Sequence, residues 1–407
     1  MTQIGVPLDP PGRWRALAVL AVSILLAKTT WFSASAVVPQ LAQEWSLGSS
    51  AAAWLTIAVQ LGFVTGALGS AALTLPDIVA PRRLMLFGAL GAAAANAGLL
   101  AVEGPAGAIP LRFATGLFIA GIYPPAMKSM ATWFRAARGT ALGVIVGALT
   151  IGAAAPHLVK GLGGLDWRVV VVATSILTVA GGVVAIVAGS EGPFPFPRGT
   201  FDPRALGRVF ADRGVRLASL GYFGHMWELY AMWTWFGVFY ADVLARGGSA
   251  VPERGAAFAA FAVIGAGALG CWAAGALADR WGRTRATAVA MSVSGACALV
   301  IGALQSPALV LAVGLVWGFA VVADSAQFST MVTEVADQRY VGTALTAQLA
   351  IGFTLTVATI WLVPLVRDAG GWFWAFALLA PGPALGVVAM ARLRASPEAA
   401  RIAGGRG

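Results

Sequence analysis

Charge is what this sequence has least of. Only 11% of its 407 residues are Asp, Glu, Lys or Arg, under half of the roughly 25% usual in soluble proteins. So thin a polar coat would not keep a folded domain dissolved, which excludes an ordinary soluble protein. There are two cysteines, Cys271 and Cys297. Both fall inside apolar runs and give neither a disulfide framework nor a zinc spacing. No phosphate-binding glycine loop, catalytic cysteine pairing or metal-ligand cluster occurs among the apolar runs. ATP-driven pumping and enzyme chemistry therefore find no residues to carry them, and no cofactor or metal is expected. The net charge of +10 does not point to nucleic acid, because the basic residues sit in short breaks between apolar runs and form no patch interleaved with exposed aromatics.

Apolar residues make up 59% of the chain, about 240 residues, enough for roughly twelve spans of ~20 residues. The runs fall at 16–38, 51–74, 84–102, 107–128, 139–158 and 168–189. They resume at 215–241, 256–278, 286–305, 308–331, 342–366 and 371–391. Lipid leaves every backbone amide in need of an internal partner, so runs of this length are expected to be helices. Arg13 and Arg15 before the first run resemble a signal peptide, but the run continues through Lys28 to Val38 without a convincing cleavage site, so it reads as a retained span.

Of the 27 Lys and Arg, Lys160, Arg168, Arg246, Arg254 and Arg367 fall on one side of the resulting topology. Lys28 and Arg112 fall inside spans, and the other twenty share a side with the N-terminus. The positive-inside bias thus predicts an inner-membrane protein with both termini cytoplasmic. The segment 190–214, with Pro193, Pro195, Pro197 and Pro203 among charges, reads as a linker. The expected organisation is a cytoplasmic N-terminus (1–15), a six-helix bundle (16–189), the linker (190–214), a second six-helix bundle (215–391) and a cytoplasmic tail (392–407).

The halves repeat. Arg138-Gly139-Thr140-Ala141-Leu142 and Val341-Gly342-Thr343-Ala344-Leu345 open the fifth and eleventh runs, Asp77 and Asp279 follow the second and eighth, and Trp167 and Trp372 open the sixth and twelfth. The glycines, aspartates and tryptophans are spaced by 203, 202 and 205 residues. An all-α membrane protein of twelve transmembrane helices in two pseudo-symmetric six-helix bundles is expected, a pattern common among secondary transporters.

The strongest local motif is Gly275-Ala276-Leu277-Ala278-Asp279-Arg280-Trp281-Gly282-Arg283-Thr284-Arg285. It resembles the loop signature of the major facilitator superfamily. Gly275 permits close helix approach and Gly282 a tight turn, while Asp279 can face arginines and a helix N-terminus. The resemblance implies that Gly275, Asp279, Arg280, Gly282 and Arg283 stabilise one end-state of an alternating-access cycle. The first-half copy keeps Gly69, Asp77, Arg82 and Arg83 but has Pro81 near the expected glycine. Arg112-Phe113-Ala114-Thr115-Gly116 resembles a second signature, and the stretch from Gly121-Ile122-Tyr123-Pro124-Pro125 to Arg138-Gly139 is similar to nitrate- and organic-anion-type branches.

Ionisable groups inside spans are functional candidates by default. Lys28 lies deep in the first run and Glu228 deep in the seventh. In the resembled fold these two helices line a central cavity, so the pair can face each other across it. His225, one turn from Glu228, could share its proton or bond a backbone carbonyl. Asp324 maps onto Gly121 through the repeat and offers a second protonation or substrate site, with Gln327 one turn on. Arg112 is a candidate cavity cation, Tyr123, Trp31, Trp227 and Tyr230 are candidate cavity aromatics, and Gln60, Asn96 and Gln348 either hydrogen-bond substrate or link helices. His157, near the outer end of its run, reads as structural.

The leading expectation is a proton-coupled secondary transporter of a small anion that functions as a monomer. Its partners would be the solute, protons and the lipid bilayer. Lys28 and Arg112 would attract the anion, and Glu228, His225 and Asp324 would carry the proton. The alternative is a proton-driven efflux pump for amphipathic or cationic compounds, served by the same acids and aromatics.

Overall fold

The computed structural model describes residues 10–134, 138–163, 166–194 and 202–407. The side chains of Ser49, Pro76, Asp77, Arg138 and Asp279 lie outside that description. The described residues are helical throughout their regular structure. The principal helices are α1 (Arg13–Ala27), α2 (Ser49–Ala72), α3 (Pro81–Ala97), α4 (Pro105–Ile119), α5 (Arg138–Leu162) and α6 (Trp167–Ala188). They are followed by α7 (Arg213–Arg246), α8 (Pro252–Trp281), α9 (Arg283–Ile301), α10 (Pro307–Ala323), α11 (Val341–Gly370) and α12 (Pro381–Arg394).

Ten helical segments among the described residues are long and apolar enough to cross a membrane. The segments built on α1 and α7 are not among them. α1 stops after 15 residues at Lys28 and resumes only in short pieces, Ser33–Ala36 and Val38–Glu44. α7 has 34 residues, long enough to span, but its Trp, Tyr, His and Glu residues dilute the hydropathy. The expected uninterrupted first span over 16–38 is therefore corrected to a broken one. Breaks also interrupt the α4 segment at 120–122, before Tyr123–Ala131, and the α10 segment at Asp324, before Ser325–Val335.

The sequence repeat is a repeat of structure. Helix starts at 49 and 252, 105 and 307, and 138 and 341 differ by 203, 202 and 203 residues. The packing repeats too. A Cβ on Gly116 of α4 would lie 2.0 Å from the Val59 carbonyl of α2, and one on Gly318 of α10 would lie 1.8 Å from the Val263 carbonyl of α8. These are the same contact 202–204 residues apart, a backbone approach that only glycine allows. The halves meet along α5 against α8 and α2 against α11. Gly143 and Gly147 of α5 face the Cys271 and Ala268 carbonyls of α8 at 3.1 and 3.3 Å from an added Cβ.

Between α8 and α9 the chain turns on Gly282 at φ +91°, as the motif predicts. An added Cβ there would meet the Arg406 carbonyl at 2.4 Å, because the segment after α12 folds back over this end of the bundle. Ile402 is fully buried there, and the Ala403 amide donates to Glu334.

Candidate functional site

The break after α1 organises the first half. Residues 28–32 leave helical pairing, so the carbonyls of Thr30 and Trp31 need other donors. Arg112, fully buried on α4, supplies them. Its Nη1 donates to the Thr30 carbonyl at 3.0 Å, to Ser33 Oγ at 3.1 Å and to Asn96 Oδ1 at 3.2 Å. Its Nη2 donates to the Trp31 carbonyl and its Nε to the Leu55 carbonyl of α2 at 3.1 Å. Asn96 donates in turn to the Val171 carbonyl, Thr174 and Ser175 of α6, and Thr29 reaches Thr174 and Thr178. A planar guanidinium with five donors suits this cluster of acceptors, and its charge complements the negative end of α1. Arg112 is thus a clamp on the broken helix. Its Nε and Nη1 donors and one of its Nη2 donors go to protein acceptors, so most of its hydrogen-bonding capacity serves the fold.

At the start of this break, Lys28 is buried among aromatic rings. Its Nζ lies 3.0 Å from the Trp31 ring centroid and 5.6 Å from that of Phe63, a cation–π contact. Lys28 is buried, and no described carboxylate lies within ion-pair distance of it. Around it, Trp31 packs on Phe63 of α2 at 5.1 Å, on Tyr230 of α7 at 5.7 Å and on Phe353 of α11 at 5.7 Å. Phe32 touches Tyr230 and Trp233. Both halves therefore contribute walls to one aromatic box. Gln60 lies one turn from Phe63 on α2. Both its amide atoms, Trp31 Nε1 and Trp233 Nε1 are buried with no described hydrogen-bond partner. Each such orphan costs about 1–3 kcal/mol, and unpartnered donors on the segments that wall the box are groups a polar ligand would satisfy.

The acids lie elsewhere. Glu228 accepts from Ser294 Oγ of α9 at 2.8 Å and from Trp317 Nε1 of α10 at 2.7 Å. It turns into the second half and does not meet Lys28, so the expected pairing across the cavity is not formed. His225 Nδ1 instead lies 2.8 Å from Asp324 Oδ1 at the α10 break, both side chains buried. Neither Asp324 Oδ1 nor His225 Nε2 has a described hydrogen-bond partner, so the two groups approach closely without a described hydrogen bond between them.

Other candidates are dispersed. Trp227 donates to the Leu378 carbonyl in the bend before α12, and Gln348 donates to Ser219 at 3.4 Å, linking α11 to α7. Gln327 accepts from Arg283 Nη1 at 2.9 Å, which places it with the loop motif and not with the box. Tyr123 is half-buried at the start of the piece following α4.

At the loop motif, Arg283 grips Glu334 through Nε at 3.1 Å and Nη2 at 3.0 Å. Gly275 faces the Gly139 carbonyl of α5 across the halves, and Arg280 and Arg82 are exposed. The side chains of Asp279 and Asp77 lie outside the described residues. Sequence reasoning missed Phe63, Phe353, Trp233 and Glu334. Trp233 follows Tyr230 at helical spacing, which is the one signal that could have found it.

A family model described as the Major Facilitator Superfamily matches residues 20–358. The chain belongs to the major facilitator superfamily. Solved structures of similar shape include a bacterial homolog to the human lysosomal transporter Spinster, in an inward-facing and unoccupied conformation. It shares 16% identity, with 95% of this chain and 96% of that one covered and a TM-score of 0.66. The human organic anion transporter MFSD10 (TETRAN) also shares 16% identity, with 94% and 100% covered and a TM-score of 0.68. No curated protein sequence matches the chain significantly. As a superfamily member the chain is a multi-pass membrane transporter of a small-molecule substrate.

Proposed function

We propose that this transporter moves an organic anion with an apolar or aromatic body, by alternating access and coupled to protons. The observation that carries the reading is Lys28, a buried cation with no described acidic partner, set in an aromatic box beside the orphaned donors of Trp31, Gln60 and Trp233. Ammonium, indole N–H and amide N–H are donors, and a carboxylate, sulfonate or phosphate would accept from all of them. The aromatic walls come from both halves, so a solute bound there would bridge the surfaces that must part and rejoin during transport. The similarly folded MFSD10 is an organic anion transporter, which agrees with this reading.

The proton is assigned to His225 and Asp324, with Glu228 one turn along α7. Tyr230 and Trp233 stand on the same helix, five and eight residues beyond His225, about 8 and 12 Å along its axis. A change in the charge contact between α7 and α10 can thus shift the box wall. This replaces direct Lys28–Glu228 neutralisation as the coupling route. The segments built on α1 and α7 complete twelve crossings of the inner membrane with both termini cytoplasmic, and the loop motif gates that end.

Export of amphipathic cations would need an acid at the box. Glu228 and Asp324 turn instead to Ser294, Trp317 and His225, which disfavours that alternative. Uptake of radiolabelled benzoate into proteoliposomes under an inward proton gradient tests the proposal. Lys28→Ala is expected to abolish it, and gradient-driven uptake unchanged in that variant would sink the anion site.

A further inference from the structure

We propose that the groove between α9 and α12, at the end of the bundle where the α8–α9 turn lies, binds one anionic phospholipid. The groove encloses about 340 Å³. Its polar end is formed by Arg285, the third residue of α9, and Arg394, the last of α12. Both are exposed, and neither has a described hydrogen-bond or ion-pair partner. Between them stands Thr284, 1% exposed, whose hydroxyl is buried without a partner and which lines the groove. The Thr284 amide in the first turn of α9 already donates to the Gly407 carbonyl at 3.3 Å, so the arginines and the hydroxyl form the polar end. Two guanidinium groups and an orphan hydroxyl line the end of the groove where an anionic oxygen group would be held.

Below this end the walls turn apolar, with Val289, Val293 and Met390. Val293 lies eight residues past Arg285, about 12 Å deeper along the helix. The outward faces of both helices are apolar and exposed, at Val289, Val293, Leu385 and Val388, as expected of a surface facing acyl chains. A free phosphate could use only the arginine end. A phosphodiester with an attached acyl chain matches both ends, and basic pockets between spans at the membrane surface suit anionic headgroups.

Native mass spectrometry of the full chain, released from mild detergent containing equal phosphatidylglycerol and phosphatidylcholine, tests this. Wild type is expected to retain one phosphatidylglycerol in preference to phosphatidylcholine. Removing both arginines (R285A/R394A) should lower that retention roughly 30-fold, about 2 kcal/mol at ~1.4 kcal/mol per tenfold. V289W, which fills the groove and leaves the arginines, should lower it comparably, while R285K should keep most of it. Circular dichroism confirms that each variant is folded. Equal retention of the two lipids by wild type, undiminished phosphatidylglycerol on R285A/R394A, or displacement of the lipid by millimolar inorganic phosphate would each overturn the proposal.

Discussion

Replacing Arg112 by alanine removes the donor that serves the Thr30, Trp31 and Leu55 carbonyls, Ser33 and Asn96. These acceptors are buried, so water cannot take over without opening the packing between α1, α2, α3 and α4. Leaving buried neutral acceptors without their donor costs about 1–3 kcal/mol each, or about 3–5 kcal/mol for this cluster after the packing relaxes. For a six-helix half unfolding as one unit this is a fall in Tm of roughly 10 °C. Arg112→Lys is expected to rescue little, because a lysine offers three donors from one point and cannot span acceptors on separate helices. The assay is thermal unfolding of the purified variants in detergent, paired with benzoate uptake per folded molecule. Folded Arg112→Lys should keep a KM for benzoate near that of wild type. A wild-type Tm with uptake abolished would refute the clamp and return Arg112 to direct contact with the solute.

Further outcomes follow from other contacts. Gly116→Val should cost about 3 kcal/mol, since its Cβ would sit 2.0 Å from the Val59 carbonyl and the helices must separate; an unchanged Tm would refute the close approach. Asp324→Asn is expected to retain benzoate exchange at equal pH but lose accumulation driven by a pH gradient, and undiminished accumulation would remove Asp324 from coupling. Glu44 accepts from Trp167 Nε1 at 2.6 Å and pairs with Arg168 at 2.6 Å, and these bonds hold its carboxyl below the ordinary range. A depressed folded pKa stabilises above the unfolded value near 4.3 and is lost as pH falls through the folded one. The Tm gap between wild type and Glu44→Gln should therefore be present at pH 7 and shrink below pH 4; a gap constant with pH would contradict the assignment.

Patterned features were legible in the sequence. The repeat near 203 residues became repeated helix starts and the paired contacts of Gly116 and Gly318. The glycine turn at Gly282 carries the positive φ its motif implies. The deep ionisable residues were found because composition makes them rare in spans. What could not be read were their partners. Residues 28–32, Lys-Thr-Thr-Trp-Phe, contain neither proline nor glycine, so no local signal marks the break. It is held by an arginine some 80 residues away. Glu228 and Lys28 occupy comparable depths in paired helices, but depth does not fix azimuth, and Glu228 faces α9 and α10. Asp324 was placed by the repeat, yet its contact with His225 depends on the break in α10, a tertiary feature. The second half has Gly314 where the repeat places the counterpart of Arg112, and its α7 runs unbroken.

The most direct test of the central claim is ligand-induced stabilisation of wild type and Lys28→Ala by benzoate, nitrate and tetraphenylphosphonium. Lys28→Ala should remain folded, since it removes a buried charge that has no described acidic partner. Benzoate should raise the Tm of wild type, more than nitrate does, and leave Lys28→Ala unmoved, with tetraphenylphosphonium stabilising neither. Equal stabilisation of Lys28→Ala by benzoate, or stronger stabilisation of wild type by the cation, would contradict an anion site at Lys28.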